Sequence, residues 1–305
     1  MRRIIALPVA IVAAALLLTG CVNNEATDNP GSNGSAGTSA GANPYGVTKD
    51  AALAKLLPSK IADAGKLQIG TDPTYAPNES KDDSGKIVGW DIDLGDAMAA
   101  KLGVQAVYVE SKFDNIIPSI TGGRYDMGIS SFTDTLEREK QVDFVNYYNA
   151  GIMWASRKGE TVDPNNACGL KVAVQAGTTE DLDELPPKSK ACTDAGKPAI
   201  QVFKFDGQDQ ATNALVLGQV QAMSADSPIT EYAIHQQSDK IQAAGTTFEV
   251  APYGFALPKG GEMTDVIQKT LQSLIDDGTY KKILDKWGVA SGAVTEATVN
   301  AASKQ

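Results

Sequence analysis

Between Gly122 and Arg138 the sequence reads Gly-Gly-Arg-Tyr-Asp-Met-Gly-Ile-Ser-Ser-Phe-Thr-Asp-Thr-Leu-Glu-Arg. Ser130, Ser131 and Thr133 crowd hydroxyls together, and Arg138 follows about one helical turn later. A guanidinium is a permanently charged planar fork that can grip a carboxylate bidentately. Hydroxyls beside one Arg therefore suggest recognition of a small anionic or zwitterionic ligand. The same residues also read as a strand end, a Ser/Thr helix cap and a solvated Arg, so taken alone they leave both readings open.

Other stretches repeat the pattern of polar residues at a strand end. Lys66 to Gly70 runs as a strand into the polar turn Thr71 to Pro77, which carries Asp72 and Tyr75. Leu170 to Gln175 runs into Ala176-Gly177-Thr178-Thr179-Glu180-Asp181, where Thr178 with Asp181 fits a capping box. A helix N-terminus there would turn free backbone N–H groups toward an anion. Gly218 to Ser227, which contains Asp226, echoes Gly123 to Ser131: each time a helix stops at Gly and a short strand ends in polar side chains.

The elements that must position these groups follow from periodicity. Asp126 to Ile129 reads as a short buried strand, and Val104 to Glu110 alternates as another. A helix from about Asp91 to Leu102 carries Ile92, Gly95, Ala99 and Leu102 on one face and stops at Gly103; Phe113, Ile116, Ile117 and Ile120 mark the next. Asp82 to Lys86 reads as a hairpin turn. Alternating strands and helices imply an α/β chain with mostly parallel sheet, and the doubling of the pattern implies two lobes. Two closing helices, marked by Val266, Ile267, Leu271, Leu274 and Ile275 and by Tyr280, Ile283, Leu284 and Trp287, are expected to cover the first lobe. Residues 56–151 and 252–289 are assigned to lobe one, 152–251 to lobe two, and 290–305 to a frayed polar tail.

Ahead of the folded part, Arg2 and Arg3 precede fifteen uncharged, mostly apolar residues, Ile4 to Leu18, too few for a comfortable span of ~20 residues. Residues 1–20 are read as a signal peptide. Its end, Leu18-Thr19-Gly20-Cys21, resembles a bacterial lipobox, which makes Cys21 the lipidated residue and the extracytoplasmic face of the cell membrane the expected location. Residues 21–55 are assigned to a tether rich in Asn, Gly, Ser, Ala, Thr and Pro. The net charge of −10 becomes more negative once the two arginines leave with the signal, which argues against a nucleic-acid partner. With Cys21 lipidated, Cys168 and Cys192 form an even pair in an exported chain and are expected to be joined. A metal site is the weaker reading of the cysteines, because His235 is the single histidine. No cofactor is expected.

Taken together, Ile69-Gly70-Thr71-Asp72-Pro73-Thr74-Tyr75-Ala76-Pro77, Gly89-Trp90-Asp91-Ile92-Asp93-Leu94, Phe113-Asp114-Asn115-Ile116-Ile117-Pro118, Thr135-Leu136-Glu137-Arg138, Gln141-Val142-Asp143-Phe144, Ala176-Gly177-Thr178-Thr179 and Asp277-Gly278-Thr279-Tyr280 resemble the polar amino acid binding proteins of bacterial ABC importers. The resemblance spans about Leu67 to Trp287. It implies a two-lobed, periplasmic-binding-protein-like (type II) α/β fold with a ligand cleft between lobes. It also implies a monomer that partners ABC permease transmembrane subunits, with no catalytic residues.

Carried over motif by motif, the resemblance implies a polar amino acid whose α-carboxylate is held by Arg138 with backbone N–H groups of Ser131, Thr133 and Thr178, Thr179 belonging to the same motif. Asp226 takes the α-ammonium, Tyr75 and Phe113 flank the side chain, and Asp72 and Ser130 help select it. With Asp72 at the side-chain end, the ligand is expected to be neutral or cationic; Lys81 and Lys112 are the nearby bases that could overturn this. Three departures stand out: Trp90 where Phe or Tyr is usual, Asn78-Glu79-Ser80 in place of the more usual Phe-Glu-Phe after Pro77, and Gln221 where Asp is commoner. The first two are placed near the side-chain pocket. Rival readings on the same scaffold are an enzyme resembling cyclohexadienyl dehydratases, with Glu180 or Asp72 as acid or base, and an envelope amino acid sensor.

Overall fold

A computed structural model describes residues 45–302; the signal segment, Cys21 and most of the expected tether lie outside the described residues. The described residues form twelve strands: Lys66–Thr71 (β1), Thr74–Tyr75 (β2), Glu79–Lys81 (β3), Ile87–Val88 (β4), Gln105–Glu110 (β5), Met127–Thr133 (β6), Val142–Arg157 (β7), Lys171–Gln175 (β8), Gln201–Phe205 (β9), Ala222–Asp226 (β10), Ile241–Pro258 (β11) and Ala293–Val299 (β12). β2, β3 and β4 make a small antiparallel sheet around the turn at Asp82. The others form one sheet in the order β5-β1-β6-β11-β7-β10-β8-β9, with β12 added to β7.

The sheet is parallel at both ends and antiparallel at its middle. β1 pairs in parallel with β5 and β6, and β8 with β9 and β10, as strand-helix-strand connections require. The two long strands β7 and β11 run antiparallel and join the ends. Residues 142–150 of β7 face 251–258 of β11, whereas 152–157 face 241–248, with register shifts between. Gly151 sits at that change, where a Cβ would lie 2.6 Å from the Phe248 carbonyl oxygen. The crossing point therefore requires a residue without a side chain.

Separate cores lie on either side of this crossing. Leu67, Ile69, Leu94, Met98, Met127 and Tyr147 pack with Val266, Ile267, Leu271, Leu274, Ile283 and Leu284 from the helices Met263–Asp276 and Thr279–Trp287. Trp154, Val172, Val174, Leu185 and Cys192 form another core, within which Cys168 and Cys192 are joined by a disulfide. His235 is exposed at the end of the helix Ser227–Gln236. Among the described residues no helix is long and apolar enough to cross a membrane.

Both ends of the folded part depart from expectation. The stretch 290–305, expected to fray, instead supplies β12, with Ala297 buried. The reason is the edge of β7: at Val145 to Tyr148 it would present unpaired N–H and C=O groups, and β12 pairs with it there. Asp134 fastens the end of the chain by accepting from the Ala301 N–H at 2.7 Å. Similarly, the last part of the expected tether, from Tyr45 onward, docks on the first core. Tyr45 Oη donates to Asp93 at 2.6 Å, and Asp50 caps the helix Ala51–Ala54.

Candidate functional site

The turns after β1 and β8 and the ends of β6 and β10 meet where the two halves face each other. Tyr75, Phe113, Ser131, Thr133, Arg138, Thr178, Thr179, Glu180 and Asp226 surround an empty space of about 200 Å3. A wider groove of about 1130 Å3 lies beside β12, but its only charged lining side chain is the exposed Glu296. Charged groups converge on the smaller space instead.

Arg138 comes from the helical turn Leu136–Glu139, capped by the Thr135 hydroxyl accepting from the Arg138 N–H. Its guanidinium lies over the stacked rings of Phe113 and Phe132, at 5.4 and 5.8 Å, a cation–π arrangement that fixes the plane of the fork. Nη1 donates to the Thr133 carbonyl at 2.7 Å and Nη2 to the Gly177 carbonyl at 3.0 Å. One arginine thus touches backbone from both halves of the chain. Gly177, at φ 80°, brings its turn so near the helix Phe113–Thr121 that a Cβ would lie 3.0 Å from Asp114 Cβ.

Asp226 ends β10 and is 6% exposed. Tyr75 Oη donates to its Oδ2 at 2.7 Å. Burial pushes the Asp226 carboxyl up to about 6, with the Tyr75 hydrogen bond and the charge of Arg138 pulling the other way. Glu180, 1% exposed, is raised well above the usual carboxylate range, first by burial and then by the charge of Asp226. Its Oε1 is buried without a hydrogen-bond partner.

Two positions expected at the ligand do not reach the space. Asp72 accepts from the Thr74 hydroxyl at 2.8 Å, from the Phe113 N–H at 3.0 Å and from Gln175 Nε2 at 2.8 Å, so it ties the first half of the chain to the second. The Ser130 hydroxyl accepts from the Asp72 N–H and donates to Glu79, facing away from the cleft. Ser131 lines the space, but its N–H points to Asp91 Oδ2 at 3.2 Å, so the carboxylate-binding role expected of that N–H is not supported. Ser131 sits at φ 53°, an uncommon conformation for a residue other than Gly. Its hydroxyl accepts from Asn78 Nδ2 at 2.7 Å and donates to Asp91 at 3.0 Å.

The Thr178 hydroxyl accepts from the Asp181 N–H, as a capping box requires, but the Asp181 carboxylate returns to the N–H of Gly177 rather than of Thr178. Lys81 pairs with Glu110 and Lys112 with Asp206, and neither lysine lines the space. Trp90 and Asn78, expected near the side-chain pocket, lie behind it: the Trp90 indole N–H donates to Asn78 Oδ1 at 2.7 Å. The two departures are thus one feature. A buried indole needs an acceptor, and a Phe at 78 could not supply it.

Glu180 is the residue that the motif reading did not assign to a ligand. It directly follows Thr178 and Thr179 in the same turn, and that adjacency was the available signal. The sequence over residues 67–290 matches a known family, described as bacterial extracellular solute-binding proteins, family 3. The chain belongs to this family. Its fold is that of the type II periplasmic binding proteins.

Relatives of this solute-binding protein cover most of its length. The arginine-binding protein ArgT of Corynebacterium glutamicum is 35% identical over 301 residues, covering 98% of this chain and 96% of that one. A solved structure of an ancestral arginine-binding protein bound to arginine superposes with a TM-score of 0.68 at 38% identity, covering 73% of this chain and 98% of that chain. Another, an ancestral amino acid-binding protein described as a precursor of cyclohexadienyl dehydratase, gives 0.66 at 32% identity, covering 76% and 99%. ArgT, an L-arginine-binding protein of Pseudomonas aeruginosa and a histidine-binding periplasmic protein of Salmonella typhimurium, all similar to this chain, are each named as binding proteins.

Proposed function

We propose that this solute-binding protein is the extracytoplasmic receptor of an ABC importer, a monomer anchored to the cell membrane through lipidated Cys21, and that it delivers a polar amino acid to permease transmembrane subunits. The lobes would be residues 56–151 with 252–289, and 152–251, closing about the β7 and β11 crossing. The observation that carries the reading is the placement of Arg138 and Asp226 on the same 200 Å3 space from opposite halves of the chain. An α-carboxylate suits the guanidinium fork, with Thr133 and Thr178 beside it, and an α-ammonium suits Asp226. The names of the relatives, which bind arginine, histidine or lysine/arginine/ornithine, support an amino acid as the solute.

A ligand held from both sides makes its differential contacts in the closed form, which is how it shifts the population toward closure. Calorimetry across the proteinogenic amino acids tests this, with Arg138→Ala and Asp226→Asn each expected to weaken binding by ~2–5 kcal/mol, because the surviving charge is left desolvated and unpaired. Both variants should also lose ligand-induced compaction in small-angle scattering. Binding and closure by Asp226→Asn as in the wild type would remove the ammonium assignment. Cys21→Ala should release the protein from membranes, and unchanged retention would remove the anchor.

A further inference from the structure

Three charged side chains line the ligand space: Arg138, Asp226 and Glu180. Resting on the receptor reading, the α-carboxylate and α-ammonium of one amino acid balance Arg138 and Asp226. Glu180 is then the remainder, a carboxyl 1% exposed whose Oε1 has no hydrogen-bond partner. Its other oxygen accepts from the Thr179 hydroxyl at 3.4 Å. A buried carboxylate is costly, and the local hydrogen bonds at Glu180 do not offset its burial. No Lys, Arg or His lies within ion-pair distance of Glu180 among the described residues; Lys204 is paired with Asp181, and Lys112 with Asp206.

We infer that Glu180 is the specificity-determining residue of this cleft, selecting an amino acid whose side chain carries a positive charge. The lining has one positive and two negative groups, so its complement is a ligand with one excess positive charge. Asp72, to which the motif resemblance assigned this task, is already satisfied by Thr74, Phe113 and Gln175. Asp72 holds the two halves together and is equally available to every ligand. Glu180 is raised above the usual carboxylate range, first by burial and then by the charge of Asp226, and Arg138 shares the space without forming an ion pair with it. An arriving side-chain guanidinium or ammonium favours its ionised form, so a cationic ligand releases more protons on binding than a neutral one, whose α-ammonium acts on Asp226.

The test is the ratio of affinities for L-arginine and L-citrulline, which differ at the side-chain terminus by a guanidinium against a neutral ureido group. Calorimetry on the detergent-solubilised full chain should give a ratio of at least about 30 in favour of arginine, the lower end of the effect of leaving a buried charge unpaired. Glu180→Gln should reduce that ratio at least tenfold. Asp72→Asn should leave the ratio unchanged while weakening both ligands. Titrations in buffers of different ionisation enthalpy should detect more protons released with arginine than with citrulline.

Equal binding of arginine and citrulline by the wild type overturns the inference without needing any variant to fold. So does a ratio that survives Glu180→Gln, or one that collapses in Asp72→Asn instead. Tight binding of neutral amino acids with arginine excluded would overturn the role of Glu180 and leave the receptor reading standing. Failure to bind any amino acid would overturn both.

Discussion

Tyr75 and Asp226 lie 151 residues apart in sequence, and the phenol donates to the carboxylate at 2.7 Å. Tyr75 follows the first strand of the large sheet, whereas Asp226 ends β10 on the far side of the crossing strands. Tyr75 also packs, buried, among Ala211, Leu215 and Met223 of the opposite half. The contact therefore favours closure as well as orienting the carboxylate. Tyr75→Phe keeps the ring and removes the donor. It should weaken amino acid binding by ~1–3 kcal/mol, read by calorimetry. An unchanged affinity would mean that the hydroxyl only fills space.

The pH dependence follows from burial. The Asp226 carboxyl is pushed up to about 6 from an ordinary 3.8, so folding disfavours its ionised form. Below the unfolded value the group is protonated in both states and imposes no penalty; as pH rises through about 6 the penalty becomes complete. Asp226→Asn should then stabilise the ligand-free protein by ~1–3 kcal/mol at neutral pH, from a shift of about two units at ~1.4 kcal/mol each. The gain should disappear at pH values below the ordinary aspartate range. Urea unfolding at the two extremes checks this, and an equal gain at both would contradict it. Amino acid affinity should move the other way, falling as pH drops through about 6, because an ammonium needs Asp226 ionised.

Trp90 and Asn78 should behave as a pair. The indole is fully buried and donates to the Asn78 amide, and Asn78 in turn donates to the Ser131 hydroxyl. Asn78→Leu leaves the indole and Ser131 without those partners and should cost ~2–4 kcal/mol. Combined with Trp90→Phe, the second change should cost less than it does alone, with a coupling of ~0.5–3 kcal/mol in a double-mutant cycle. Strict additivity would show that the two positions are independent.

The disulfide between Cys168 and Cys192 closes a loop with a separation of 24 residues. Replacing both cysteines by serine should lower the stability of the half of the molecule containing β8 by ~3–4 kcal/mol on the chain-entropy estimate. Arginine-to-citrulline discrimination should persist in whatever fraction remains folded, since neither cysteine lines the ligand space. Chemical denaturation with and without reductant measures the first effect and calorimetry the second.

Local patterns carried much of this in the sequence. Apolar spacing and glycine stops placed the helices Trp90–Leu102 and Phe113–Thr121 and the strands around them, because these signals depend on neighbours a few residues apart. Arg138, Thr178 and Asp226 were legible for a related reason: each lies in a short stretch whose order is characteristic, and the structure brings them to one space. The pairing of Cys168 with Cys192 followed from there being no other partner once Cys21 was set aside.

Contacts across the crossing were decided by tertiary structure alone. Asp72 was expected at the ligand, but Gln175, 103 residues later, and the Phe113 N–H occupy its carboxylate. Glu180 gained its importance when folding buried Oε1 beside Asp226 without a hydrogen-bond partner. The C-terminal stretch became β12 because the open edge of β7 needed pairing, a need invisible in its own small polar composition. Residue type and spacing fix what a side chain can bond to. Which partner reaches it first depends on the chain that arrives from the other half.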